Sequence, residues 1–195
     1  MIQDKSEASL VLAEHFFCPR NIGEAAEPNF SGRSGSLQCG ATARVSIHLD
    51  ASQHITEARF KAAGCSILVA SLSLLTEEIK GKTTAEAALC GQQPEALSEH
   101  LGNCEPVKNH CPRLACEALI SAISQYSDAT RSEWIGDEAL ICTCFGVSES
   151  TIEREIEEHN LSTIAEVTRA CNAGAGCGSC HQLIEEILMG RGTDF

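Results

Sequence analysis

The sequence predicts an α+β domain followed by a small all-α domain. In the first part of the chain, two strand-like runs precede several helical ones, which is the order typical of α+β domains. The second part has no convincing strand. A polar stretch at residues 127–136 separates the two parts and follows a strong helical pattern. We therefore divide the chain into a domain at 1–127, a linker at 128–138 and a domain at 139–195.

Two runs in the first domain predict strands. Residues 43–49 alternate between apolar and polar side chains, as a half-buried strand does, and residues 55–62 form the second run. Residues 50–54 are expected to form the turn between them. The apolar positions of the first run are Val45, Ile47 and Leu49.

Helical patterns follow these strands. Residues 66–79 carry apolar side chains at helical spacing, and a Lys-Gly pair at 80–81 is expected to end that helix. Thr83 and Glu86 form a capping box that starts a short helix. A last helix is expected at residues 112–126, because proline is permitted in a first helical turn. The residues on the shared face of the first helix are Leu68, Leu72, Leu75 and Ile79.

The second domain is expected to be helical throughout. One helix is predicted at residues 149–159, with Ser148 as its N-cap. Thr163 and Glu166 form another capping box, which opens a second helix. A Gly-rich loop follows, and residues 180–189 again show a helical pattern.

Composition excludes several classes of function. The formal net charge of −13 argues against binding the phosphate backbone of a nucleic acid, which selects for clustered Lys and Arg. No run approaches the roughly 18 consecutive apolar residues of a membrane-spanning helix, and the acidic N-terminus does not resemble a secretory signal. We therefore expect a cytoplasmic protein that binds no membrane. Because the cytosol is reducing, its 12 cysteines indicate metal ligation or thiol chemistry rather than disulfides.

The most informative spacing is Cys142-x-Cys144 followed by Cys177-x-x-Cys180. Four thiolates in two close pairs can surround one metal centre, and the glycines around the second pair leave backbone N–H groups free to hydrogen-bond sulfur. This pattern favours an iron–sulfur cluster over structural zinc, because C-x-C is tighter than the usual zinc knuckle. Zinc in turn is favoured over a redox dithiol, because the βαβ context of such dithiols is absent from the predicted elements.

A looser set of ligands lies in the first domain. Cys39 precedes the first predicted strand, Cys65 precedes a helix, and Cys111 is expected at the N-cap of the helix that starts at Pro112. A helix N-terminus lowers the pKa of a thiol and favours the thiolate, which binds metal or attacks sulfur. With His110, these three thiolates could hold iron or zinc. The alternative is that they are buried cysteines that pack as small apolar residues.

Taken together, these residues resemble the NifU/IscU family of iron–sulfur cluster scaffold proteins. The first domain is similar to the IscU-like domain of that family, and the second to the BFD-like [2Fe-2S] domain of NifU. The segments of the first domain that carry the resemblance are HFFCPRNIG at 15–23, GSLQCG at 35–40, AGCSILVASLS at 63–73, KGKT at 80–83 and KNHCP at 108–112. Those of the second are CTCFGVS at 142–148 and GAGCGSC at 174–180.

The resemblance implies a fold and a set of ligands. The first domain would have a small antiparallel sheet packed by helices, and it would assemble a transient [2Fe-2S] cluster, with iron or zinc as the bound metal, at Cys39, Cys65 and Cys111. His110 would be an additional ligand, Cys111 the acceptor of persulfide sulfur, and Lys108 an electrostatic support of the site. The second domain would hold a permanent [2Fe-2S] cluster through the ligands Cys142, Cys144, Cys177 and Cys180.

The resemblance also implies partners. A cysteine desulfurase would supply sulfur, an electron donor could supply electrons, and apo iron–sulfur proteins would receive the cluster. A homodimer is consistent with a shared cluster, and such a scaffold turns over no substrate and is not an enzyme. Two alternatives stay open: a [2Fe-2S] electron-transfer protein whose first domain only docks, and a zinc-stabilised interaction protein.

The sequence departs from the family pattern in three places. Ala41 stands where the family has Asp after Cys-Gly, and an oxygen ligand among sulfurs suits cluster release. We therefore expect the cluster of this chain to leave more slowly. In IscU proteins a dedicated Hsp70 chaperone recognises the segment Leu-Pro-Pro-Val-Lys. This chain has Cys-Glu-Pro-Val-Lys at 104–108 instead, so chaperone recognition is not expected. Full-length NifU carries a further C-terminal Nfu domain, which we do not find in this sequence up to Phe195. We therefore expect another protein to carry out any cluster delivery that depends on that domain.

Overall fold

A computed structural model describes residues 5–50, 53–102, 110–133 and 139–190. Its first part contains a three-stranded antiparallel sheet in the order β1-β2-β3. The strands are β1 (Phe30–Gly35), β2 (Thr42–Leu49) and β3 (Ile55–Ala63). The helices of this part are α1 (Lys5–Phe17), α2 (Ser66–Glu78), α3 (Thr84–Gly91), α4 (Pro94–His100) and α5 (His110–Glu133).

The second part is helical apart from one short hairpin. Its strands are β4 (Leu140–Cys142) and β5 (Val147–Ser148), and its helices are α6 (Glu149–His159), α7 (Ile164–Cys171) and α8 (His181–Gly190). The three helices enclose a core centred on Ile152, Val167 and Ile184, all fully buried. The predicted fold class is therefore confirmed, with a hairpin that the sequence did not predict.

The sheet of the first part is covered by α2 and α5, which bury its inner face. Val45 pairs with Phe60 across β2 and β3, and both side chains are buried against the helices. Large apolar side chains such as these contribute about 1.5–3 kcal/mol each when fully buried. The predicted apolar face of α2 is buried as expected. Its members Leu68, Leu72, Leu75 and Ile79 are at most 1% exposed.

Helix α5 approaches the sheet closely at β1. A Cβ atom on Gly32 would lie 2.1 Å from the carbonyl oxygen of Ala118 and from the backbone nitrogen of Ala122. Only glycine permits that approach without moving backbone. Since α5 also carries His110 and Cys111 in its first turn, the contact at Gly32 fixes the helix that presents them.

The N-terminal HFFCPRNIG segment attaches α1 to the rest of this part. The buried His15 ring hydrogen-bonds the Ser73 hydroxyl of α2 through Nδ1, at 2.9 Å. Arg20 forms ion pairs with Glu14 of α1 and Glu77 of α2. His15 therefore has a structural role in the core of the fold.

The two parts contact each other directly. Asn172 Oδ1, in the second part, accepts hydrogen bonds from the backbone N–H of Ala85 (3.1 Å) and the hydroxyl of Thr84 (3.3 Å). It thereby caps the N-terminus of α3. The rings of Tyr126 and Phe145 also meet across the interface, with centroids 6.4 Å apart. In the described residues no helix is long and apolar enough to cross a membrane.

Candidate metal-binding thiol sites

The first candidate site brings together residues that are far apart in the sequence. Cys39 Sγ lies 3.4 Å from His110 Nε2, and the same nitrogen lies 3.6 Å from Cys111 Sγ. Cys111 Sγ in turn lies 3.3 Å from Cys65 Sγ. Residues separated by 71 and 46 positions thus form one continuous series of contacts, which we call the scaffold site.

Three different elements place these side chains. Cys39 lies in the loop between β1 and β2, which is closed by a hydrogen bond from the Ser36 N–H to the Ala41 carbonyl (2.9 Å). Cys65 is the N-cap residue of α2, as its position before that helix predicted. The prediction that Cys111 is the N-cap of the last helix of this part is wrong, because α5 already includes His110. Cys111 instead lies within the first helical turn.

The two exposed thiols of the scaffold site have pKa values below that of an ordinary thiol. Hydrogen bonds from the Ser36 side chain, the Ala41 backbone N–H and His110 lower the pKa of Cys39 to about 7. Burial acts to raise the pKa of Cys65, but backbone N–H groups at the start of α2 and the Cys111 thiol outweigh it and lower that pKa. Cys39 and Cys65 are exposed to solvent, whereas Cys111 is completely buried.

The donor set fits a thiophilic metal. Tetrahedral zinc, with bonds of about 2.3 Å to sulfur and about 2.0–2.1 Å to nitrogen, places neighbouring ligand atoms roughly 3.5–3.8 Å apart. The contacts of the scaffold site lie at or just below that range. Among the described residues, no three His, Cys, Asp or Glu side chains already surround one ion position, so rotation of these side chains would have to complete the set. Lys108 and Cys104 lie outside the described residues.

The second candidate site consists of two cysteine pairs, and we call it the four-cysteine site. Cys144 Sγ and Cys177 Sγ lie 3.5 Å apart, and the side chains of Cys142 and Cys180 hydrogen-bond each other. Cys142 ends β4, Cys144 lies in the hairpin, and the other two lie between α7 and α8. Cys144 and Cys177 open onto a cleft of about 460 Å³ that is also lined by α3 and α5.

The chain around the four-cysteine site is tightly packed. A Cβ atom on Gly176 would lie 2.7 Å from the Cβ and 2.8 Å from the Sγ of Cys144. Glycine is therefore needed at this position for the backbone to approach the Cys144 sulfur so closely.

The thiols of this site differ in acidity. Hydrogen bonds from the hydroxyl and N–H of Ser179 and from Cys144 lower the pKa of Cys177 to about 7. Burial and the adjacent Cys142 sulfur raise the pKa of Cys180 to about 12. The N–H of Cys177 favours the Cys144 thiolate, but burial and the neighbouring Cys177 and Cys142 sulfurs outweigh it and raise that pKa. A cationic centre would relieve the repulsion between these sulfurs.

Two serines next to the exposed thiols were missed by the sequence analysis. Ser36 and Ser179 supply the largest single effect on the acidity of Cys39 and Cys177, respectively. Each serine lies within three residues of its cysteine. A hydroxyl so close to a loop cysteine could have been recognised as a thiolate-stabilising donor.

Comparison with known proteins matches both parts of the chain. Residues 7–133 match the family model described as the NifU-like N terminal domain. Residues 140–189 match the BFD-like [2Fe-2S] binding domain. The nitrogen fixation protein NifU of Nostoc sp. is 38% identical over 184 residues, which cover 90% of this chain and 61% of that protein. The NifU of Azospirillum brasilense is 37% identical over 179 residues, covering 90% and 57%.

Solved structures support the fold of the first part. A putative iron–sulfur cluster assembly scaffold protein for the SUF system from Fervidobacterium islandicum superposes with a TM-score of 0.52 at 20% identity, covering 58% of this chain and 93% of that chain. The N-terminal part of a NifU-like protein from Brucella abortus gives 0.53 at 17% identity, covering 64% and 99%. The chain itself spans about 60% of the length of the NifU relatives that it matches.

Proposed function

Since the chain belongs to the family that shares the NifU-like N-terminal domain, we propose that it is a scaffold on which iron–sulfur clusters are assembled and then transferred to apo-proteins. The observation that carries this proposal is the series of contacts from Cys39 through His110 and Cys111 to Cys65. Three thiols and an imidazole on three different elements form a binding set for iron, and two of the thiols face solvent.

The chemistry at the scaffold site is the joining of iron and sulfur on thiolates. A persulfide on a cysteine desulfurase carries a terminal sulfur that a thiolate of this chain attacks. The new S–S bond forms on this chain as the S–S bond of the donor breaks, and the donor cysteine leaves as a thiolate. Reduction of that sulfur to sulfide needs electrons from an outside donor. Cys111 is the proposed final acceptor, and Cys39, Cys65 and His110 hold the iron.

Transfer of the finished cluster requires ligands that can exchange. Cys39 and Cys65 are exposed, so thiolates of an acceptor protein can reach the cluster from their side. The cluster is cargo in this scheme, and the protein acts as a scaffold rather than as an enzyme. Lys108 is proposed as an electrostatic support, and a second copy of the chain could share a cluster across a homodimer. A reducing compartment such as the cytosol would keep these thiols free.

The four-cysteine site is proposed to hold a resident [2Fe-2S] cluster. Its donor set fits, because it contains four thiols in two pairs and a loop whose N–H groups point toward sulfur. Cys142, Cys144, Cys177 and Cys180 would be the ligands. When bound, this group supplies one-electron chemistry. The match of residues 140–189 to the BFD-like [2Fe-2S] binding domain supports this assignment.

The proposal is tested by assembling clusters on the purified protein. Anaerobically purified protein is analysed for its visible spectrum, iron, acid-labile sulfide and zinc. It is then incubated with a desulfurase, iron, cysteine and dithiothreitol, which supplies the electrons that reduce persulfide sulfur to sulfide. We expect absorbance, iron and sulfide to rise together, and the rise to be lost in C39A, C65A and C111A. The exposed Cys18 is outside both sites, so C18A is the matched control and should behave as the wild type.

Other outcomes of this test would overturn the proposal. A colourless protein that contains zinc and takes up no cluster would support a zinc-stabilised interaction protein. Cluster uptake that is confined to the four-cysteine site and unaffected by C39A, C65A and C111A would support an electron-transfer protein with a docking domain.

A further inference from the structure

In the loop that leads to Cys177, each backbone carbonyl from residue 172 to residue 176 accepts a hydrogen bond. The first three are bonded within the second part of the chain: Asn172 O to the N–H of Ala175 (3.3 Å), Ala173 O to the Thr168 hydroxyl (2.7 Å) and Gly174 O to His181 Nε2 (2.9 Å). The last two, Ala175 O (2.9 Å) and Gly176 O (3.2 Å), both accept from Gln92 Nε2 of the first part.

The geometry of the peptide bond connects these carbonyls to sulfur. Across a planar trans peptide, the carbonyl and the N–H of the next residue point in opposite directions, and the described residues contain no cis peptide. When Gln92 holds the Gly176 carbonyl, the N–H of Cys177 is directed to the other side of the chain. That N–H hydrogen-bonds the sulfur of Cys144.

The same arrangement occurs a second time in this loop. Thr168 holds the Ala173 carbonyl, and the N–H of the same peptide, that of Gly174, hydrogen-bonds the sulfur of Cys180. Two peptides are thus held by a side chain on their carbonyl side and bonded to a ligand sulfur on their N–H side. Thr168 belongs to the second part of the chain, whereas Gln92 belongs to the first.

Gln92 is itself held firmly at the end of α3. It is the C-cap residue of that helix, and its backbone N–H donates to the carbonyls of Ala88 (3.1 Å) and Leu89 (3.2 Å). The other end of α3 is capped by Asn172, the first residue of the same loop. Helix α3 is therefore bonded at both ends to the segment that precedes Cys177.

We propose that Gln92, in the first part of the chain, is a positioning residue for the four-cysteine site in the second part. Its side chain holds the Gly176 carbonyl and so directs the Cys177 N–H at the Cys144 sulfur. A residue of the first part would then help to set the geometry of the four-cysteine site. Hydrogen bonds to sulfur stabilise the more negative, reduced form of a cluster and raise its reduction potential. That electronic consequence rests on the proposed resident cluster, whereas the positioning of the Cys177 N–H does not.

The test uses the full chain with Q92L, which removes the donor and keeps a side chain of similar size, and with Q92E, which replaces the donor by an acceptor. Q93L is the matched control, because Gln93 is the next residue and its side chain makes no capping hydrogen bond. T168V is the comparator, since it removes the corresponding donor to Ala173. The rate of amide hydrogen exchange at Cys177 and Gly174 is measured by NMR on the cluster-free protein. On the protein loaded with cluster, the midpoint potential and the rate of cluster loss to a chelator are measured.

We expect Q92L and Q92E to accelerate amide exchange at Cys177 and to lower the midpoint potential. They should also release the cluster about tenfold faster, because losing a contact that orients a metal ligand weakens metal binding by about that factor. T168V should likewise lower the midpoint potential and speed cluster release, but it should accelerate amide exchange at Gly174 instead of Cys177. Q93L should change none of these quantities. Unchanged exchange at Cys177 in both Gln92 variants would overturn the positioning role. A wild-type protein that takes up no cluster at the four-cysteine site would instead refute the proposed resident cluster, and the exchange measurement would still decide the role of Gln92.

Discussion

The Sγ atoms of Cys65 and Cys111 lie 3.3 Å apart, and only one of the two residues reaches solvent. Cys65 is exposed at the N-cap of α2, whereas Cys111 is completely buried in the first turn of α5. A sulfur donor outside the protein therefore reaches Cys65 more readily than Cys111. This relationship gives the scaffold site an outer and an inner thiol.

The first prediction is that sulfur reaches Cys111 through Cys65. The Cys65 thiolate takes the terminal sulfur from the donor persulfide, and the Cys111 thiolate then attacks that sulfur and releases Cys65. In C65A, persulfide at Cys111 should fall to near background after incubation with a desulfurase and cysteine, as measured by mass spectrometry. C39A is the control and should retain persulfide at Cys111. Equal rates at Cys111 in C65A and the wild type would refute the relay.

The second prediction concerns the acidity of Cys39. Its pKa of about 7 means that the thiolate, and with it the rate of alkylation, should rise as the pH increases through 7. S36A removes the largest stabilising hydrogen bond, so the pKa should rise and alkylation at pH 6 should slow roughly three- to tenfold. Alkylation of each cysteine is measured by peptide mass spectrometry between pH 5 and 10.

A reciprocal control is available in the other site. S179A should slow alkylation of Cys177 and leave Cys39 unchanged, because Ser179 hydrogen-bonds only the Cys177 thiol of these two. Cys116, whose pKa burial and nearby Cys90 raise to about 12, should remain unreactive throughout. A Cys39 profile that is unaffected by S36A would show that the serine does not set its acidity.

The third prediction concerns Ala41. A41D introduces an oxygen ligand beside the scaffold site and should speed cluster transfer to an apo-ferredoxin. Ala41 is 5% exposed, so the buried carboxylate should also lower the stability of the cluster-free protein by about 1–3 kcal/mol. Transfer is measured by circular dichroism and stability by urea unfolding. A41N has nearly the same size without the charge, so it should share part of the destabilisation but not the faster transfer. Unchanged transfer in A41D would refute the ligand role.

The fourth prediction tests the contact between the two parts of the chain. Asn172 has a φ of 65°, a conformation that glycine adopts freely, so N172G removes the side-chain hydrogen bonds to the start of α3 and to Gln53 without straining the backbone. The cluster-free protein should lose about 0.5–2 kcal/mol of unfolding free energy. N172D retains an acceptor at the start of α3 but loses the donor to Gln53, so its stability should lie between those of N172G and the wild type. Equal stability of N172G and the wild type would show that the Asn172 side chain contributes nothing to the contact between the two parts.

Local signals in the sequence predicted much of the helical structure. The capping boxes at Thr83 and Thr163 are present, each with its reciprocal hydrogen bonds to Glu86 and Glu166. Ser148 caps α6 as predicted, accepting from the N–H of Thr151. These features depend only on residues within one helical turn, so a sequence is sufficient to reveal them.

Elements stabilised by distant contacts were not predicted. Strand β1 has the sequence FSGRSG, which lacks an apolar alternation, and it forms because β2 pairs with it and α5 packs over Gly32. Helix α1 is attached by His15 and Arg20 to α2, more than 50 residues away. The two strands of the β4–β5 hairpin have three and two residues, too few for a periodic pattern.

In the candidate sites, too, local sequence patterns were predictable and contacts between distant residues were not. The cysteine spacings and the resemblance to a family identified the residues of both sites, and their assignment as ligands remains a prediction. The interaction of Gln92 with Gly176 joins residues 84 positions apart and has no local signal. The contact of Asn172 with Gln53 spans 119 positions and was equally inaccessible from the sequence.

The most direct test of the central claim is cluster transfer from the scaffold site alone. A variant carrying C142A and C177A lacks the four-cysteine site. It is loaded by incubation with a desulfurase, iron, cysteine and dithiothreitol as the reductant, and is then mixed with an apo-ferredoxin in the presence of an iron chelator. We predict that iron and sulfide are taken up in equal amounts and appear as a cluster on the ferredoxin faster than iron appears on the chelator. A variant that takes up no cluster, or whose iron goes to the chelator while the ferredoxin stays empty, would contradict the claim that this chain is an assembly scaffold.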